Sequence, residues 1–230
     1  YGYIYEGTYK YDDFDKSGSS YTLKGNIPHY VSESNTQPGM PKYKDLNGDG
    51  IIDTNDRTMI GRGLPIHTGG FTNNFEYKGF DLSVFFQWSY GNDVLNANRL
   101  FFDSGFQKKR ELNQYASYTN RWTPENPNSD IPAATNSSSN LVISSRVVED
   151  ASFLRLKTVT LGYTVPKTFL KKYKIDNARL YVAAQNLWTI TGYSGYDPEV
   201  SIRSGGLTPG LDFSSYPRAL SVSFGINLGF

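Results

Sequence analysis

The chain has 230 residues, a formal net charge of +1 and no cysteine. The near-zero charge provides no basic field for nucleic acid, and the lack of cysteine excludes disulfide scaffolds, thiolate metal sites and cysteine nucleophiles. Apolar residues make up 38% of the sequence and aromatic residues 15%, with 18 Tyr and 14 Phe. Few apolar but many amphipathic residues favour either the aromatic girdles of a membrane β-structure or a tyrosine-rich secreted β-domain.

The amino-terminal residues, Tyr1-Gly2-Tyr3-Ile4-Tyr5, include neither a Met nor a basic region. They are typical of a chain that is already inside a strand, so we expect residues 1–11 to be the end of a strand with further residues upstream.

An acidic loop lies in the long connection that follows, residues 12–67. Residues of this loop fall at the ligand positions of an EF-hand-type calcium loop, with Gly50 at the sharp turn: Asp45, Asn47, Asp49, Ile51, Asp53 and Asp56. The pattern predicts a structural Ca²⁺ site. It departs from the usual loop in ending on Asp rather than Glu and in having no flanking helices. The alternative is an Asx-rich turn whose side chains satisfy their own backbone.

Two alternating strands follow, at about 68–78 and 80–90, joined by a tight turn at Lys78-Gly79 where glycine supplies the positive φ. The first strand places Phe71, Phe75 and Tyr77 opposite Thr72, Asn74 and Glu76. The second places Phe80, Leu82, Val84, Phe86, Trp88 and Tyr90 opposite Asp81, Ser83, Gln87 and Ser89, with Phe85 as the exception. Period-two alternation indicates strands with one apolar and one polar face.

The connection 91–150 is expected to contain two short helices. Leu112, Tyr115, Thr119 and Trp122 recur at helical spacing, and Pro124 and Pro127 close the stretch. Residues 136–140 form a polar tip.

Three further strands are predicted at about 151–165, 177–190 and 218–230. In the first, Val159, Leu161, Tyr163 and Val165 oppose Thr158, Thr160, Gly162 and Thr164. Arg155 and Lys157 occupy the apolar parity, so we expect this half of the strand to lie beyond the hydrocarbon layer, where a cation costs less. The facing of 177–190 stays open, because Leu180, Val182 and Ala184 compete with Tyr181 and Ala183.

The last segment has the strongest alternation. Leu220, Val222, Phe224, Ile226, Leu228 and Phe230 alternate with Ser221, Ser223, Gly225, Asn227 and Gly229. Its length matches the ~9–11 residues that cross a bilayer at a tilt.

The connections are sorted by length, because 78–79 and 167–176 are short whereas 12–67, 91–150 and 191–217 are long. Outer-membrane barrels have short turns on one side and long extracellular loops on the other. We therefore predict an all-β fold, an antiparallel transmembrane β-barrel. Because six strands are below the practical minimum of about eight for a closed barrel, further strands must complete it.

Several motifs, in order, resemble the SusC/RagA-type TonB-dependent transporters. They are the acidic loop 43–53 with Asp56-Arg57 and Ile60-Gly61, then 69–75, 77–82, Asn120-Arg121-Trp122-Thr123, Arg155-Leu156-Lys157, Leu161-Gly162-Tyr163 and Gln185-Asn186-Leu187. The resemblance implies the carboxy-terminal portion of a plugged barrel of ~22 strands in the bacterial outer membrane. It also implies import of glycan or peptide fragments with a SusD-like surface lipoprotein as lid and TonB as energy source, the plug domain lying outside these residues.

In the resembled class, a terminal aromatic such as Phe230 serves as a signal to the barrel-assembly machinery; the alternative is an ordinary girdle residue. Trp122, Tyr193, Tyr196 and Tyr216 lie in the long loops. They are candidates for stacking on sugars or packing against a lid, and packing within their own loop is the alternative for each.

No enzyme motif is present: His29 and His67 stand alone, and the sequence has neither a nucleophile elbow nor a phosphate-binding loop. The competing function is a secreted, calcium-stabilised β-sandwich that binds carbohydrate. A sandwich would bury its large side chains between two sheets, whereas a barrel would expose one apolar band.

Overall fold

The computed structural model describes residues 1–105, 113–135, 140–202 and 209–230. These residues form two compact units by contact: unit 1 comprises 1–63, 94–149 and 201–215, and unit 2 comprises 64–93, 150–200 and 216–230. The strands are β1 Tyr5–Thr8, β2 Phe14–Ser17, β3 Ser20–Leu23, β4 Pro41–Tyr43, β5 His67–Tyr77, β6 Phe80–Tyr90, β7 Asp93–Asn96, β8 Val148–Asp150, β9 Phe153–Thr164, β10 Asn177–Thr191, β11 Leu211–Asp212 and β12 Ser221–Gly229.

Helices are short and few in the described part of the chain. The α-helices are α1 Ala97–Phe102 and α2 Lys167–Leu170, and 3-10 turns occupy Tyr11–Asp13, Glu33–Asn35, Thr54–Asp56, Ala116–Asn120, Ser145–Val147 and Lys171–Tyr173. Neither α-helix, at 6 and 4 residues, is long enough to cross a membrane.

Unit 2 is built on one antiparallel sheet with the strand order β12-β10-β9-β6-β5. At one end of the sheet, the turn at Lys78-Gly79 joins β5 to β6, and the connection that contains α2 joins β9 to β10. Lys78 and Gly79 have φ values of 48° and 87°, the two positive angles that a tight two-residue hairpin of this kind requires. The sheet is open, with β5 and β12 at its ends.

The register sorts the side chains of the sheet by polarity. Val84, Val159, Ala184 and Val222 lie side by side on four neighbouring strands. The same face carries Phe71, Phe75, Tyr77, Phe80, Leu82, Phe86, Trp88, Leu161, Tyr163, Leu180, Val182, Phe224, Ile226 and Leu228. The opposite face carries Thr72, Asn74, Glu76, Asp81, Ser83, Phe85, Gln87, Thr158, Thr160, Gly162, Arg179, Tyr181, Ala183, Gln185, Ser223, Gly225 and Asn227. The ambiguity in β10 is therefore resolved in favour of Leu180, Val182 and Ala184 as its apolar face.

A β-bulge at Lys157 interrupts this alternation. Phe85 pairs with Thr158 whereas the next residue, Phe86, pairs with Leu156, so Lys157 is the extra residue of β9. A one-residue insertion changes the facing of every residue beyond it. The expectation that Arg155 lies on the apolar face is therefore wrong, because the bulge turns it to the polar face.

Residues 1–11 are not a sixth strand of the large sheet. Within this stretch β1 spans only Tyr5–Thr8 and pairs with β4, and the pairing is irregular at Gly7, whose φ is 101°. Tyr3 and Tyr9 are each buried in a cluster of unit 1. These aromatic side chains alternate because they enter two small cores, not because they line one face of a long strand.

Unit 1 collects the three long connections into one folded body. Tyr3, Tyr43 and Ile52 form one core cluster, and Tyr9, Phe14 and Leu23 form the other. The strands β11, β7 and β8 form a small sheet, and β2 and β3 form a hairpin. Loops of this length form stable structure only when they bury apolar side chains of their own.

The two helices expected within 91–150 differ from the prediction. The structure has α1 at Ala97–Phe102 and a 3-10 turn at Ala116–Asn120, and the helical spacing through Trp122 does not produce an α-helix in the described residues. Leu112 and most of the polar tip, residues 136–139, lie outside the described residues.

Candidate functional site

The apolar face of the unit 2 sheet is exposed. Phe224 is 83% exposed, Phe75 59% and Leu180 46%, on three different strands. Soluble monomers rarely expose a continuous apolar patch beyond a few hundred Å². Exposure of large apolar side chains on several neighbouring strands therefore favours an apolar neighbour for this face.

The polar face is shaped by glycines that lie beneath larger side chains. Gly225 is paired with Tyr181, and a Cβ atom added at Gly225 would meet the Tyr181 ring. An added Cβ at Gly162 would meet both members of the Asp81–Arg179 ion pair. A cleft of about 610 Å³ lies at the end of the sheet that carries the Lys78-Gly79 turn. It is lined by Glu76, Tyr77, Lys78, Gly79, Phe80, Asp81, Thr164 and Arg179.

An ionic cluster lies on the polar face beyond the bulge. Its members are Gln87 of β6, Arg155 and Lys157 of β9, Asp197 and Glu199 of the segment after β10, and Arg218 before β12. Arg155 Nη2 donates to Asp197 Oδ1 at 2.6 Å, and Gln87 Nε2 donates to Glu199 Oε1 at 3.2 Å. The segment after β10 therefore folds back across the polar face as far as β6.

One carboxylate oxygen of this ionic cluster contacts three cations. Glu199 Oε2 lies 2.8 Å from Arg155 Nη1, 3.3 Å from Lys157 Nζ and 3.2 Å from Arg218 Nε. The side chain of Arg155 is 3% exposed and that of Asp197 4%, whereas that of Arg218 is 50% exposed. The cluster is thus buried at its centre and open at Arg218.

The pKa of Asp197 lies below its ordinary value. Burial alone would raise it, but Arg155 and the backbone N–H groups of Glu199 and Arg218 donate hydrogen bonds to the ionised carboxylate and outweigh burial. Asp197 therefore remains charged where an ordinary aspartate begins to take up a proton.

The acidic loop forms hydrogen bonds with its own backbone. Asp45 accepts from the N–H groups of Gly48 and Gly50 at 2.6 and 2.8 Å. Asp56, fully buried, accepts from Leu46 N at 2.7 Å and Asp53 N at 2.8 Å.

Other side chains of the predicted calcium site also face backbone donors. Asn47 accepts from Asp49 N, Asp49 accepts from Ile51 N, and Asp53 accepts from Asn55 N. Among the described residues, no group of three or more acidic or histidine side chains is placed to hold a metal. In each of these three bonds the side chain accepts from the backbone N–H two residues later, as the Asx-turn alternative predicts. Calcium binding stays a prediction.

The aromatic candidates of the loops separate into two pairs. Trp122 is 9% exposed and Tyr193 6%, so both pack within the fold, and the Trp122 ring lies 5.5 Å from that of Tyr11. Tyr196 and Tyr216 are 79% and 88% exposed, and they remain available for a ligand or partner. Phe230 is also exposed, as either an assembly signal or a girdle residue would be.

Sequence reasoning missed the ionic cluster. Its one visible sign was Arg155 at an apolar parity, which we interpreted as a position near the membrane surface. The partners Asp197 and Glu199 lie more than 40 residues away, as the separation of 42 between Arg155 and Asp197 shows. No local pattern in the sequence joins residues at that distance.

Comparison with known proteins finds relatives that are all named TonB-dependent receptors. No family model matches the chain. It is 38% identical over its full length to TonB-dependent receptor P3 of Formosa agariphila, of which it covers 22%. It is 38% identical over 84% of its length to TonB-dependent receptor P26 of the same organism, covering 20% of that protein. The chain is homologous to one segment of the TonB-dependent receptors.

Further relatives of this TonB-dependent receptor segment agree with that assignment. TonB-dependent receptor SusC of Bacteroides thetaiotaomicron is 29% identical over 87% of the chain, which covers 18% of SusC. The RagAB peptide importer in its closed-closed state matches the whole chain with a TM-score of 0.69 and 27% identity, over 22% of the matched chain. The resemblance to SusC/RagA-type proteins is confirmed. The segment spans about a fifth of the length of its curated relatives.

Proposed function

We propose that this segment forms part of the barrel wall and the extracellular loops of a TonB-dependent importer in the bacterial outer membrane. The observation that carries the proposal is the sheet of unit 2, which exposes one apolar face across five strands and keeps most of its polar residues on the other. A strand pattern of this kind suits lipid on one side and a hydrated lumen on the other.

The open edges of the sheet support a larger barrel. Strands β5 and β12 lie at the two ends of the strand order, so each has a free edge within the sheet described here. Unpaired backbone groups are not tolerated in a bilayer core, where each costs several kcal/mol. The proposal therefore requires the rest of the receptor to supply the neighbouring strands and the plug.

The proposed cargo is a glycan or peptide fragment, and the proposed partners are a SusD-like surface lipoprotein and TonB. SusC and the RagAB peptide importer are the relatives that support this assignment. Unit 1, which joins the three long connections into one folded body, is the proposed surface for cargo and lipoprotein. The exposed Tyr216 directly follows Ser215, the last residue of unit 1, in sequence.

The competing sandwich function is not favoured by the exposed apolar face, because a sandwich would cover Phe224 and Phe75 with a second sheet. The test is fractionation of cells expressing the full-length receptor. We expect it in the detergent-insoluble envelope, with migration in gels that changes on heating. A soluble secreted pool that migrates identically before and after boiling would contradict the proposal.

A second experiment tests import itself. Uptake of labelled glycan and peptide fragments is compared between cells with and without the receptor gene, and between cells with and without TonB. The expected result is uptake of one class that requires both genes. Uptake that is independent of TonB would contradict the proposed energy source while leaving the membrane assignment intact.

A further inference from the structure

The three cations of the ionic cluster converge on one internal carboxylate. Glu199 Oε2 is within 3.3 Å of Arg155 Nη1, Lys157 Nζ and Arg218 Nε. Three cationic groups around a single oxygen are more than an ordinary ion pair needs, and they match the surroundings of a bound oxyanion.

The charges of this cluster do not balance. Arg155, Lys157 and Arg218 contribute three positive charges, whereas Asp197 and Glu199 contribute two negative charges. Asp197 has its own role, because it accepts two backbone N–H groups in addition to Arg155 Nη2. Glu199 is therefore the one carboxylate of the cluster that pairs with Arg155 Nη1, Lys157 and Arg218.

The centre of the cluster also holds an unused donor. Arg155 Nε is buried and has no hydrogen-bond partner, on a side chain that is only 3% exposed. A buried N–H without a partner costs free energy, and a multi-oxygen anion has more acceptor atoms than one glutamate tip presents here. Arg218, half exposed, provides an approach from solvent.

We propose that Arg155, Lys157 and Arg218 form an anion-binding site on the polar face, which Glu199 occupies from within the chain. The ligand is a carboxylate or sulfate group, held by the planar guanidinium donors of two arginines and by the Lys157 ammonium. No covalent step is involved. The ligand exchanges with the Glu199 carboxylate, and this exchange frees Glu199 from the polar face.

Competition with the tethered carboxylate sets the apparent affinity. A group on the same chain acts at an effective concentration of order mM, so the glutamate weakens binding of a free anion. Removing the Glu199 side chain removes this competitor. Binding of inorganic sulfate should therefore tighten by roughly tenfold or more. The site is independent of the membrane assignment, since it depends only on contacts within unit 2.

The experiment uses the purified full-length receptor in detergent and measures thermal stability and calorimetric binding with sodium sulfate or sodium acetate, against sodium chloride at equal ionic strength. We expect Glu199→Ala to be less stable than the unmodified receptor and to regain stability with sulfate, acetate or both. The arm that restores stability identifies the anion. Glu125→Ala, at an exposed carboxylate in another loop, is the matched control and should respond equally to all salts.

A second variant keeps the proposal testable if stability changes for other reasons. Adding Arg218→Ala to Glu199→Ala should abolish the specific sulfate or acetate effect. If sulfate and acetate act on Glu199→Ala no more than chloride does, or if the effect survives loss of Arg218, the anion site is wrong. Uptake measurements do not enter this test, so its failure is separate from failure of the proposed import function.

Discussion

Arg179 of β10 and Asp81 of β6 are joined by two hydrogen bonds that cross the intervening strand β9 directly over Gly162, one of them 2.9 Å from Arg179 Nε to Asp81 Oδ1. Strands two apart in a sheet rarely allow such contact, because the side chain between them fills the space. Glycine at 162 leaves that space open.

Gly162→Ala should therefore uncouple Asp81 from Arg179. The added methyl group would overlap both side-chain ends, so the pair must separate. A double-mutant cycle with Asp81→Ala and Arg179→Ala, measured by denaturant unfolding in lipid vesicles, should show favourable coupling with Gly162 and none with alanine. Equal coupling in both backgrounds would contradict the role given to Gly162. Gly229→Ala, where the added Cβ would make only ordinary contacts, is the control.

The lipid-facing assignment predicts a difference between adjacent residues of β10. Val182→Arg, on the apolar face, should destabilise the folded receptor by about 2–4 kcal/mol if it lies near the bilayer midplane. Ala183→Arg, on the polar face, should cost much less. Denaturant unfolding from vesicles measures both. Equal costs would indicate that the two faces have similar surroundings.

Replacing Asp197 by Asn should lower the free energy of unfolding of the receptor by an amount that depends on pH. The folded pKa lies below the unfolded value, so the carboxylate stabilises the fold above the unfolded pKa of about 3.9 and loses that contribution as the pH falls through the folded pKa. Arg155 is the charged side chain that contacts it, whereas Glu199 and Arg218 contribute backbone N–H groups. We expect a deficit of about 2 kcal/mol at neutral pH, from lost charge-assisted hydrogen bonds, that shrinks below about pH 4. A deficit that is constant from pH 7 to pH 3 would exclude this mechanism.

Calcium binding is tested by calorimetry of the full-length receptor before and after chelator treatment. If Asp45, Asn47, Asp49 and Asp53 turn from backbone donors to the ion, Ca²⁺ should release heat and raise the melting temperature. Asp49→Ala should abolish both effects. The absence of heat together with no effect of chelator would leave the Asx-rich turn as the role of this loop.

Deletion of Phe230 should lower the amount of receptor in the outer membrane several-fold without changing the uptake rate per folded copy, if the terminal aromatic is an assembly signal. Quantitative blotting of membranes, together with uptake, separates the two effects. Phe224→Ala provides the comparison, since that side chain is equally exposed but internal to β12. Unchanged levels after deletion would leave only the girdle role.

Much of the large sheet could be predicted because alternation is a local property. The strands β6 and β12 show it without help from tertiary structure, and the turn at Lys78-Gly79 has its own chemical signature. The same rule misled us at Tyr1–Tyr11, where alternate tyrosines enter two separate cores. Period alone does not identify what a face packs against.

The ionic cluster could not be predicted for a different reason. Arg155 faces Asp197 and Glu199 only because β9 contains an extra residue at Lys157, and a bulge has no reliable sequence signal when the residue in it is not glycine. The positive φ of Asn186, at 53°, lies on the partner strand opposite the same irregularity. Both features depend on pairing between strands, which the residues of one strand do not encode.

The extra residue in β9 also constrains how this stretch of gene can change in length. Loss of the Lys157 codon would remove the bulge, because Thr158 and Leu156 would become neighbours like their partners Phe85 and Phe86. Arg155 would keep its place opposite Gln87 on the polar face, whereas Glu199 would lose one of its three cations. The disturbance would fall on β10, where Asn186 and Leu187 lie between the paired residues Gln185 and Trp188 and would have no residue opposite them. Successful length variants of these two strands should consequently arise in concert, with the one codon of Lys157 lost together with the two codons of Asn186 and Leu187.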